Sequence, residues 1–426
     1  MSQRTLHSLA FLAGLLFLTL LFTRDEPRLE RRLPIAGKAS SPESPPLAIR
    51  RAVPRPKPPA VKMPNVRVGL TSGPVASFTL EVAGTFALLA DGKTQKIGKI
   101  NATRVTASTR GITINGKIWP TSLVELVPDA SPAIWVNDHL YRGRLRIHRI
   151  GAKVFPINVL PLENYIAAVV DGEMPAAFPL EARKAQATAA RTFALYQAQA
   201  VPSDSLAELT AGVRSQKYLG YQYRDKGRLL AGETEAGRTA AAETRGLVCT
   251  LKGNLFCTYY SAVCGGRTTL GTEIFDDASS TLQSVPCTWC REAGRYRWSL
   301  EVPRTEAQTA LQKLATGRGK SLGKLKTVQA TMITPGRIPQ FEVRGDKQTL
   351  SVNGTELRAA FSSHGVNSPK FSVKDKPAAL VLTGQGHGHG VGLCQWGASG
   401  LAAEGRTFRE ILLYYYSGCS LTSLGY

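Results

Sequence analysis

The sequence predicts an α+β protein: a β-rich domain with a small helical layer, preceded by an N-terminal membrane anchor and a proline-rich tether. Three observations support this prediction. Apolar and polar residues alternate through much of residues 66–159, a helical period follows over residues 161–200, and an apolar run lies at residues 6–23. A chain of 426 residues with 43% hydrophobic residues can bury one large core or two smaller ones.

The N-terminal apolar run predicts export. Leu6–Thr23 contains no Asp, Glu, Lys or Arg and follows a short segment that holds Arg4. A run of about 18 residues is just long enough to span a bilayer, and no small-x-small cleavage site follows it. We therefore expect an uncleaved anchor in the cytoplasmic membrane, with the main domain in the cell envelope outside the cytoplasm. Removal of the run as a signal peptide is the alternative.

A tether follows the apolar run. Residues 24–64 are rich in Pro, Arg and Ser and too poor in large apolar residues to fold alone. We expect a semi-extended linker that holds the folded part, residues 65–426, off the membrane.

Basic residues outnumber acidic ones. Lys and Arg number 53 against 31 Asp and Glu, which gives a net charge of +22. The sequence contains no zinc-finger spacing, helix-turn-helix pattern or aromatic-interleaved basic strand, so we predict no nucleic-acid partner. A solvated basic surface is the first interpretation of the charge, and an acidic envelope polymer is the second.

The chain pattern predicts a β-rich first half, two helices and then more strands. Strand alternation begins at Val66 and continues through residues 77–89, 103–118 and 145–159. Pro161–Val170 and Pro179–Ala200 each open with proline and continue in good helix formers. Later segments are predicted as a hairpin at residues 247–263 around Lys252-Gly253-Asn254, strands at 325–352 and a last helix at 408–416.

Glu173 is the first candidate for chemistry. It lies in the segment Asp171-Gly172-Glu173-Met174-Pro175, which we predict to be a turn between the two helices. A carboxylate at such a corner among apolar neighbours is partly desolvated, and desolvation raises its pKa toward the range of a group that gives up and regains a proton. Asp171 is the rival carboxylate, with capping or closing the turn as its predicted role.

Several long motifs surround Glu173. The pattern P-L-E-x-Y-x-x-x-V-x-x-x-E-M-P at residues 161–175 is followed by E-A-x-K-A-Q-A-x-A-A-R-T-x-A-L at 181–195. Further along are S-Q-K-Y-L-G at 215–220, Y-S-A-V-C-G-G-R-T ending at Thr268, and G-H-G-V-G-L-C-Q-W-G-A at 388–398. Together they resemble the stage II sporulation protein D (SpoIID/LytB) family, over roughly residues 65–426.

The resemblance implies a catalytic role for Glu173. Family members with an assigned activity are lytic transglycosylases acting on peptidoglycan glycan strands, some preferring strands without stem peptides. Glu173 stands at the position of the family's catalytic Glu. It would protonate the glycosidic oxygen between N-acetylmuramic acid and N-acetylglucosamine, then accept the proton of the sugar's own 6-hydroxyl, which leaves a 1,6-anhydro-muramyl end. This chemistry requires no cofactor.

A second function stays open, because other members of the family are described as amidase enhancers. The alternative to an enzyme is therefore a non-catalytic peptidoglycan-binding protein that stimulates a cell-wall amidase. On either view the resemblance places a catalytic segment at residues 158–300, a variable β segment at 301–380, and the glycine-histidine motif with the C-terminal helix at 381–426.

Eight further residues are predicted to bind substrate or to support Glu173. Two polar residues interrupt the Ala-rich second helix, and His389 matches the family's G-H-G-V-G motif. A Trp beside polar groups can be a platform for a sugar, although a buried core Trp is the alternative. The predicted set is Gln186, Arg191, Gln216, Tyr218, Ser261, His389, Gln395 and Trp396.

The cysteines allow a metal site or disulfides. Cys264 and the pair Cys287-x-x-Cys290 have metal-like spacing, and the resemblance implies a structural zinc ion, because zinc binding occurs in the family. A fourth ligand is missing, since Tyr260 and Ser261 stand where relatives often supply His; Cys257 would serve only with a bulge. A disulfide between Cys249 and Cys257, which are symmetric about Gly253, is the alternative. Cys394 and Cys419 are interpreted as packed apolar residues.

Overall fold

The computed structural model describes residues 63–212 and 215–426 and has the α+β composition that the sequence predicts. The predicted anchor and nearly all of the tether lie outside the described residues. None of the helices in the two described ranges combines the length and the apolar character needed to cross a bilayer.

Strands fill the described chain before the first helix, in agreement with the predicted β-rich first half. Short turns separate them, and several carry a residue with positive φ, such as Asn115 and Gly116. The strands are β1 (Asn65–Gly69), β2 (Ser77–Val82), β3 (Phe86–Ala90), β4 (Lys93–Ile97), β5 (Ile100–Ser108), β6 (Gly111–Ile114), β7 (Lys117–Trp119), β8 (Leu123–Pro128), β9 (Ile134–Val136), β10 (His139–Tyr141), β11 (Arg144–Ile150) and β12 (Lys153–Pro161).

These strands form two sheets. Three later strands complete them: β13 (Leu209–Thr210), β14 (Gln222–Asp225) and β15 (Arg228–Ala231). The first sheet has the order β13-β1-β12-β11-β8-β3-β4, and the second has the order β15-β14-β10-β9-β2-β5-β6-β7. Val68 and Leu126 of the first sheet share one buried cluster with Leu80 and Ile112 of the second. The two sheets therefore pack on each other through their apolar faces.

Three helices follow the first sheet: α1 (Leu162–Glu173), α2 (Leu180–Ala200) and α3 (Glu235–Glu243). The two predicted helices are confirmed, and each begins one residue after its proline, Pro161 or Pro179. The sequence pattern did not predict α3. The Ala-rich face of α2 is buried, which allows the neighbouring elements to approach its backbone closely.

The predicted hairpin forms at β16 (Leu247–Leu251) and β17 (Asn254–Leu255), and β18 (Tyr260–Ser261) follows. Its two-residue turn is Lys252-Gly253, both with positive φ. Thr250 pairs with Leu255, so the register does not place Cys249 opposite Cys257. The predicted disulfide is therefore wrong: the hairpin is centred between residues 252 and 253, not on Gly253. All seven cysteines are buried and free.

Residues 297–385 form a module with its own buried cluster. Its elements are β19 (Arg297–Pro303), α4 (Arg304–Gly317), β20 (Leu325–Met332), β21 (Gln340–Gly345), β22 (Thr349–Asn353), α5 (Gly354–Ala360), β23 (Phe371–Asp375) and β24 (Ala379–Gln385). They build two three-stranded sheets, β19-β24-β23 and β20-β21-β22. The strands predicted at residues 325–352 are confirmed, whereas both helices were missed. Arg297 pairs with Gln385, so the module begins and ends at one point.

The last elements return to the first half of the fold. They are β25 (Leu393–Cys394), α6 (Gln395–Ala403), α7 (Phe408–Tyr415) and β26 (Ser420–Ser423). β25 pairs in parallel with β18, and β26 pairs with β16. α2 contacts α1, α3, α6 and α7, so it is the central helix of the helical layer. The predicted last helix is confirmed, and α6 is a further helix that the sequence analysis missed. Single 3₁₀ turns occur at Gly271–Glu273, Thr288–Cys290 and Ser362–His364.

Candidate active site

Glu173 is the last residue of α1, not part of a turn as predicted. The helix continues through Asp171 and Gly172, and the N–H of Met174 donates to the Val170 carbonyl over 2.9 Å before the chain becomes extended. The carboxylate therefore lies at the C-terminal end of a helix, where the helix dipole disfavours negative charge.

The Glu173 carboxylate accepts hydrogen bonds from three distant residues, Lys217, Tyr260 and Gln395. The backbone N–H of Lys217 donates to Oε1 over 2.7 Å, and the hydroxyl of Tyr260 donates to the same oxygen over 3.2 Å. Gln216 Nε2 donates to the Tyr260 hydroxyl over 3.0 Å, and Tyr165 donates to Gln216 Oε1 over 3.1 Å. A chain of hydrogen bonds through Tyr165 and Gln216 thus fixes the Lys217 and Tyr260 donors to Glu173.

The pKa of Glu173 is raised above its ordinary value. Burial is the main cause, because it penalises the charged carboxylate, and it outweighs the hydrogen bonds from Lys217, Tyr260 and Gln395, which favour the charge. The side chain is only partly exposed to solvent. A carboxyl group with a raised pKa holds its proton to higher pH than an exposed one, and partial exposure lets a substrate reach it, as a general acid requires.

The neighbouring carboxylates are committed to structural contacts. Asp171 pairs with Arg183 and accepts hydrogen bonds from the backbone N–H and the hydroxyl of Thr234, at the start of α3. It closes the helical layer, in line with its predicted structural role. Glu181 pairs with Lys184 and accepts from the Phe408 N–H. Among the residues that the structure describes, no cationic side chain forms an ion pair with Glu173.

Gln395 and Gln186 meet beside Glu173, as predicted. Gln395 is the first residue of α6, and its side chain hydrogen-bonds to the Glu173 carboxylate. Its Nε2 also donates to Gln186 Oε1 over 3.3 Å. The Gln186 Nε2 is buried and has no hydrogen-bond partner among the described residues. A buried amide donor without a partner is costly, so this group is available to a ligand or to water.

His389 supports the site through the backbone. Its Nδ1 accepts from the Val391 N–H over 3.0 Å, and its ring hydrogen-bonds to the backbone of Tyr260. Burial lowers the pKa of His389 to about 4, so the ring is neutral at physiological pH. The Ser261 hydroxyl is buried without a partner among the described residues, and Gly388 lies against its Cβ. Ser261 follows Tyr260 in β18, and His389 lies in the loop between β24 and β25 that packs against this strand.

Trp396 lies at the edge of the site. The Trp396 ring packs edge-to-face on Phe178, with centroids 5.2 Å apart. The backbone N–H of Trp396 donates to the Ala262 carbonyl. Phe178 belongs to the segment between α1 and α2, a few residues after Glu173. The indole is half-buried and keeps some surface for a ligand, so its predicted role as a sugar platform stays a prediction.

The structure places Arg191 and Tyr218, both predicted to bind substrate, in buried contacts that do not touch the Glu173 carboxylate. Arg191 is fully buried and makes a bidentate pair with Glu163, over 2.8 and 2.6 Å, while its remaining donors face backbone carbonyls. Tyr218 is buried, with its hydroxyl on Asn158 Oδ1. A guanidinium with every donor occupied has none left for a ligand.

Four cysteine sulfurs meet behind the site. Cys264, Cys287, Cys290 and Cys394 are all buried, and their Sγ atoms lie within 4.8 Å of one another. The predicted trio is therefore brought together, and Cys394 joins it, in contrast to its prediction as a packed apolar residue. Tetrahedral S₄ sets suit a zinc ion, so the donor set fits the implied metal.

Sequence reasoning missed the groups that touch Glu173 most closely. Tyr260 was considered only as an unsuitable zinc ligand, and Lys217 acts through its backbone, which no side-chain pattern reveals. Tyr165 and Cys394 both lie inside the quoted motifs but were given no active-site or metal role. The signal available for them was their place in motifs that converge on Glu173.

Comparisons with known proteins show what this chain is similar to. A family model for the stage II sporulation protein SpoIID matches residues 151–251, which include Glu173, Gln186 and Gln216. A second model, a domain of unknown function (DUF8618), matches residues 287–392 and so covers the module.

Three relatives match more than half of this chain in sequence. An uncharacterised protein of Brachyspira hyodysenteriae is 28% identical over 300 residues, 70% of this chain and 76% of that protein. An amidase enhancer of Bacillus subtilis is 25% identical over 302 residues, 61% of this chain but only 40% of that protein. Stage II sporulation protein D of Bacillus subtilis is 30% identical over 268 residues, 62% of this chain and 75% of that protein. The chain therefore belongs to the SpoIID family.

Proposed function

We propose that the protein is a peptidoglycan lytic transglycosylase in which Glu173 acts first as acid and then as base. The observation that carries the proposal is a partly exposed carboxyl group with a raised pKa, held by the Lys217 N–H, the Tyr260 hydroxyl and the Gln395 side chain. A second free carboxylate, which ordinary glycosidases use, is not needed for this reaction.

The reaction balances with one carboxyl group. Protonated Glu173 gives its proton to the glycosidic oxygen as the bond from that oxygen to C1 of N-acetylmuramic acid breaks, and N-acetylglucosamine leaves with a new hydroxyl. The 6-hydroxyl oxygen of the same muramic acid then bonds to C1, and its proton passes to the Glu173 carboxylate. The product is a 1,6-anhydro-muramyl end, no water is consumed, and the enzyme regains its starting protonation state.

The three donors suit the second half of this cycle. Once the proton has left, Glu173 carries a negative charge, and hydrogen bonds from Lys217 and Tyr260 are then at their strongest. Burial favours the protonated form before the step. The site therefore supports both states of the same group, as an acid that becomes a base requires.

The amidase-enhancer relative favours a second candidate function, namely a peptidoglycan-binding protein that stimulates a cell-wall amidase. The same experiment separates the two. The full-length protein and Glu173→Gln are incubated with intact and peptide-stripped glycan strands, and the new strand ends are identified by mass spectrometry. We expect anhydro-muramyl ends with the wild type and almost none with the variant over the same reaction time. Binding without new ends would favour the enhancer function.

A further inference from the structure

We propose that Cys264, Cys287, Cys290 and Cys394 bind one structural zinc ion, and that this ion fixes Gln395 against Glu173. The first half concerns metal binding alone. The second half rests on the proposed function, because it assigns the ion a role in holding the active site.

The sulfur positions match a tetrahedral ion better than disulfides. Four ligands at about 2.3 Å from a zinc ion stand about 3.8 Å apart. The Cys264 and Cys290 sulfurs are 3.7 Å apart, and all four sulfurs lie within 4.8 Å of one another. A disulfide requires an S–S distance of about 2.05 Å and uses only two sulfurs. The cluster has the size of a closed S₄ cage around one ion.

The surroundings of the sulfurs suit thiolates. Backbone N–H groups of Cys264 and Gly397 donate to Cys394 Sγ over 3.2 and 3.4 Å. Lys370 Nζ donates to the backbone carbonyls of Cys264 and Arg267, which brings an ammonium group next to the cluster. Zinc with four thiolates carries a net charge of −2, and N–H donors together with a neighbouring cation offset that charge.

The four ligands come from three separate places in the chain. Cys264 follows β18, Cys287 precedes and Cys290 ends a 3₁₀ turn before the module, and Cys394 ends β25 after it. An ion bound to all four would tie together the two ends of residues 291–393, which contain the whole module. Since a set of four cysteines leaves no coordination position open, the ion is structural and takes no part in the chemistry.

The position of Cys394 links the ion to the active site. Cys394 pairs with Ser261 across β18 and β25, next to the pair of Leu393 with Tyr260. Gln395 follows Cys394 directly and contacts Glu173. The ion would therefore fix the pair of β18 and β25, which carries Tyr260 and leads into Gln395, both hydrogen-bond partners of Glu173. Loss of the ion should disturb the position of Gln395 more than the buried core.

The first test measures metal in the purified full-length protein, with Cys394→Ser and the control Cys257→Ser. Cys257 is also buried but lies outside the cluster. We expect about one zinc per chain in the wild type and the control, and little or none in Cys394→Ser. If Cys394→Ser does not fold, the wild type still decides. The proposed site would be overturned if wild-type protein purified from zinc-supplied cells contained no zinc and showed fewer than seven titratable thiols after denaturation.

The second test separates the positioning role from the proposed function. The wild type is stripped of zinc with a chelator and reloaded, and glycan cleavage and zinc content are measured together. We expect cleavage to fall at least about 10-fold in the zinc-free protein and to return with zinc, whereas Gln395→Ala keeps its zinc and loses activity. Full activity without zinc would overturn the positioning role. A zinc-loaded protein that never cleaves would instead contradict only the proposed function.

Discussion

At the scale of single residues, opposing influences set the charge of Glu173. Burial and the end of α1 favour the protonated acid, whereas the donors from Lys217, Tyr260 and Gln395 favour the carboxylate. Because the proposed reaction passes through both forms, removing one donor should shift the pH dependence in a defined direction.

Tyr260→Phe removes one donor to the carboxylate and is the direct test of this balance. The pKa of Glu173 should rise further, since one interaction that stabilises the charged form is lost. The protonated acid is lost as pH rises through that pKa, so the alkaline limb of kcat/KM should move to higher pH. We also expect the maximal rate to fall about 10-fold, the cost of one hydrogen bond to a charged group.

The matched control for this variant is Tyr223→Phe, whose ring stacks on His139 in the second sheet. Its pH profile should equal that of the wild type. An alkaline limb of Tyr260→Phe that stays in place or moves to lower pH would contradict the assigned contact between Tyr260 and Glu173.

At the scale of elements, the last turn of α1 must approach the loop at residues 215–218 closely. A Cβ on Gly172 would lie 2.1 Å from the Lys217 carbonyl oxygen, which is backbone and cannot turn aside. Gly172→Ala should therefore push away the Lys217 N–H that binds Glu173. A displacement of about 1 Å at an active site can lower the rate about 100-fold. We therefore expect kcat to fall by about that factor while the fold is retained.

The control is Gly317→Ala in α4, where an added Cβ meets none of the described residues within 4 Å. It should leave the activity unchanged and the helix no less stable. Wild-type kinetics in Gly172→Ala would show that the position of Lys217 does not matter.

The contact between α1, α2 and the end of α3 depends on a buried ion pair. Arg191→Met leaves the Glu163 carboxylate without its partner, although Tyr426 and the Gly246 N–H still donate to it. We expect a loss of about 3–5 kcal/mol in the free energy of unfolding, measured by denaturant titration. Adding Glu163→Gln to Arg191→Met should restore part of the lost free energy of unfolding.

Affinity for glycan strands then distinguishes a structural Arg191 from a ligand-binding one. The folded fraction of Arg191→Met should bind strands like the wild type. A variant of unchanged stability that no longer binds would return Arg191 to the substrate-binding set.

At the scale of the whole molecule, the sequence predicted the strands and helices that have a clear local pattern of residues. Alternation predicted the strands around Val66, and the prolines before Leu162 and Leu180 marked both helices of the catalytic segment. It did not predict α6, because its Gly and Ala residues give a weak helical pattern. The hairpin turn was recognised, but an error of half a residue in its centre was enough to suggest a disulfide.

The candidate site was predicted as far as its residues lie in motifs. Glu173, Gln186 and Gln395 were expected together, and the structure brings them together. Arg191 looked like a ligand-binding group because the sequence does not show that Glu163 lies against it. The fourth cysteine, Cys394, stands far from Cys290 in sequence, and only the pairing of β18 with β25 brings it to the cluster.

The most direct test of the central claim is cleavage of glycan strands in ¹⁸O-labelled water. If the sugar's own 6-hydroxyl attacks while Glu173 moves the proton, the new muramyl ends carry no label and are lighter than hydrolysed ends by one water. Glu173→Gln should slow their appearance roughly 100- to 10,000-fold. New muramyl ends that carry the label, or cleavage by Glu173→Gln at close to the wild-type rate, would contradict the proposed mechanism.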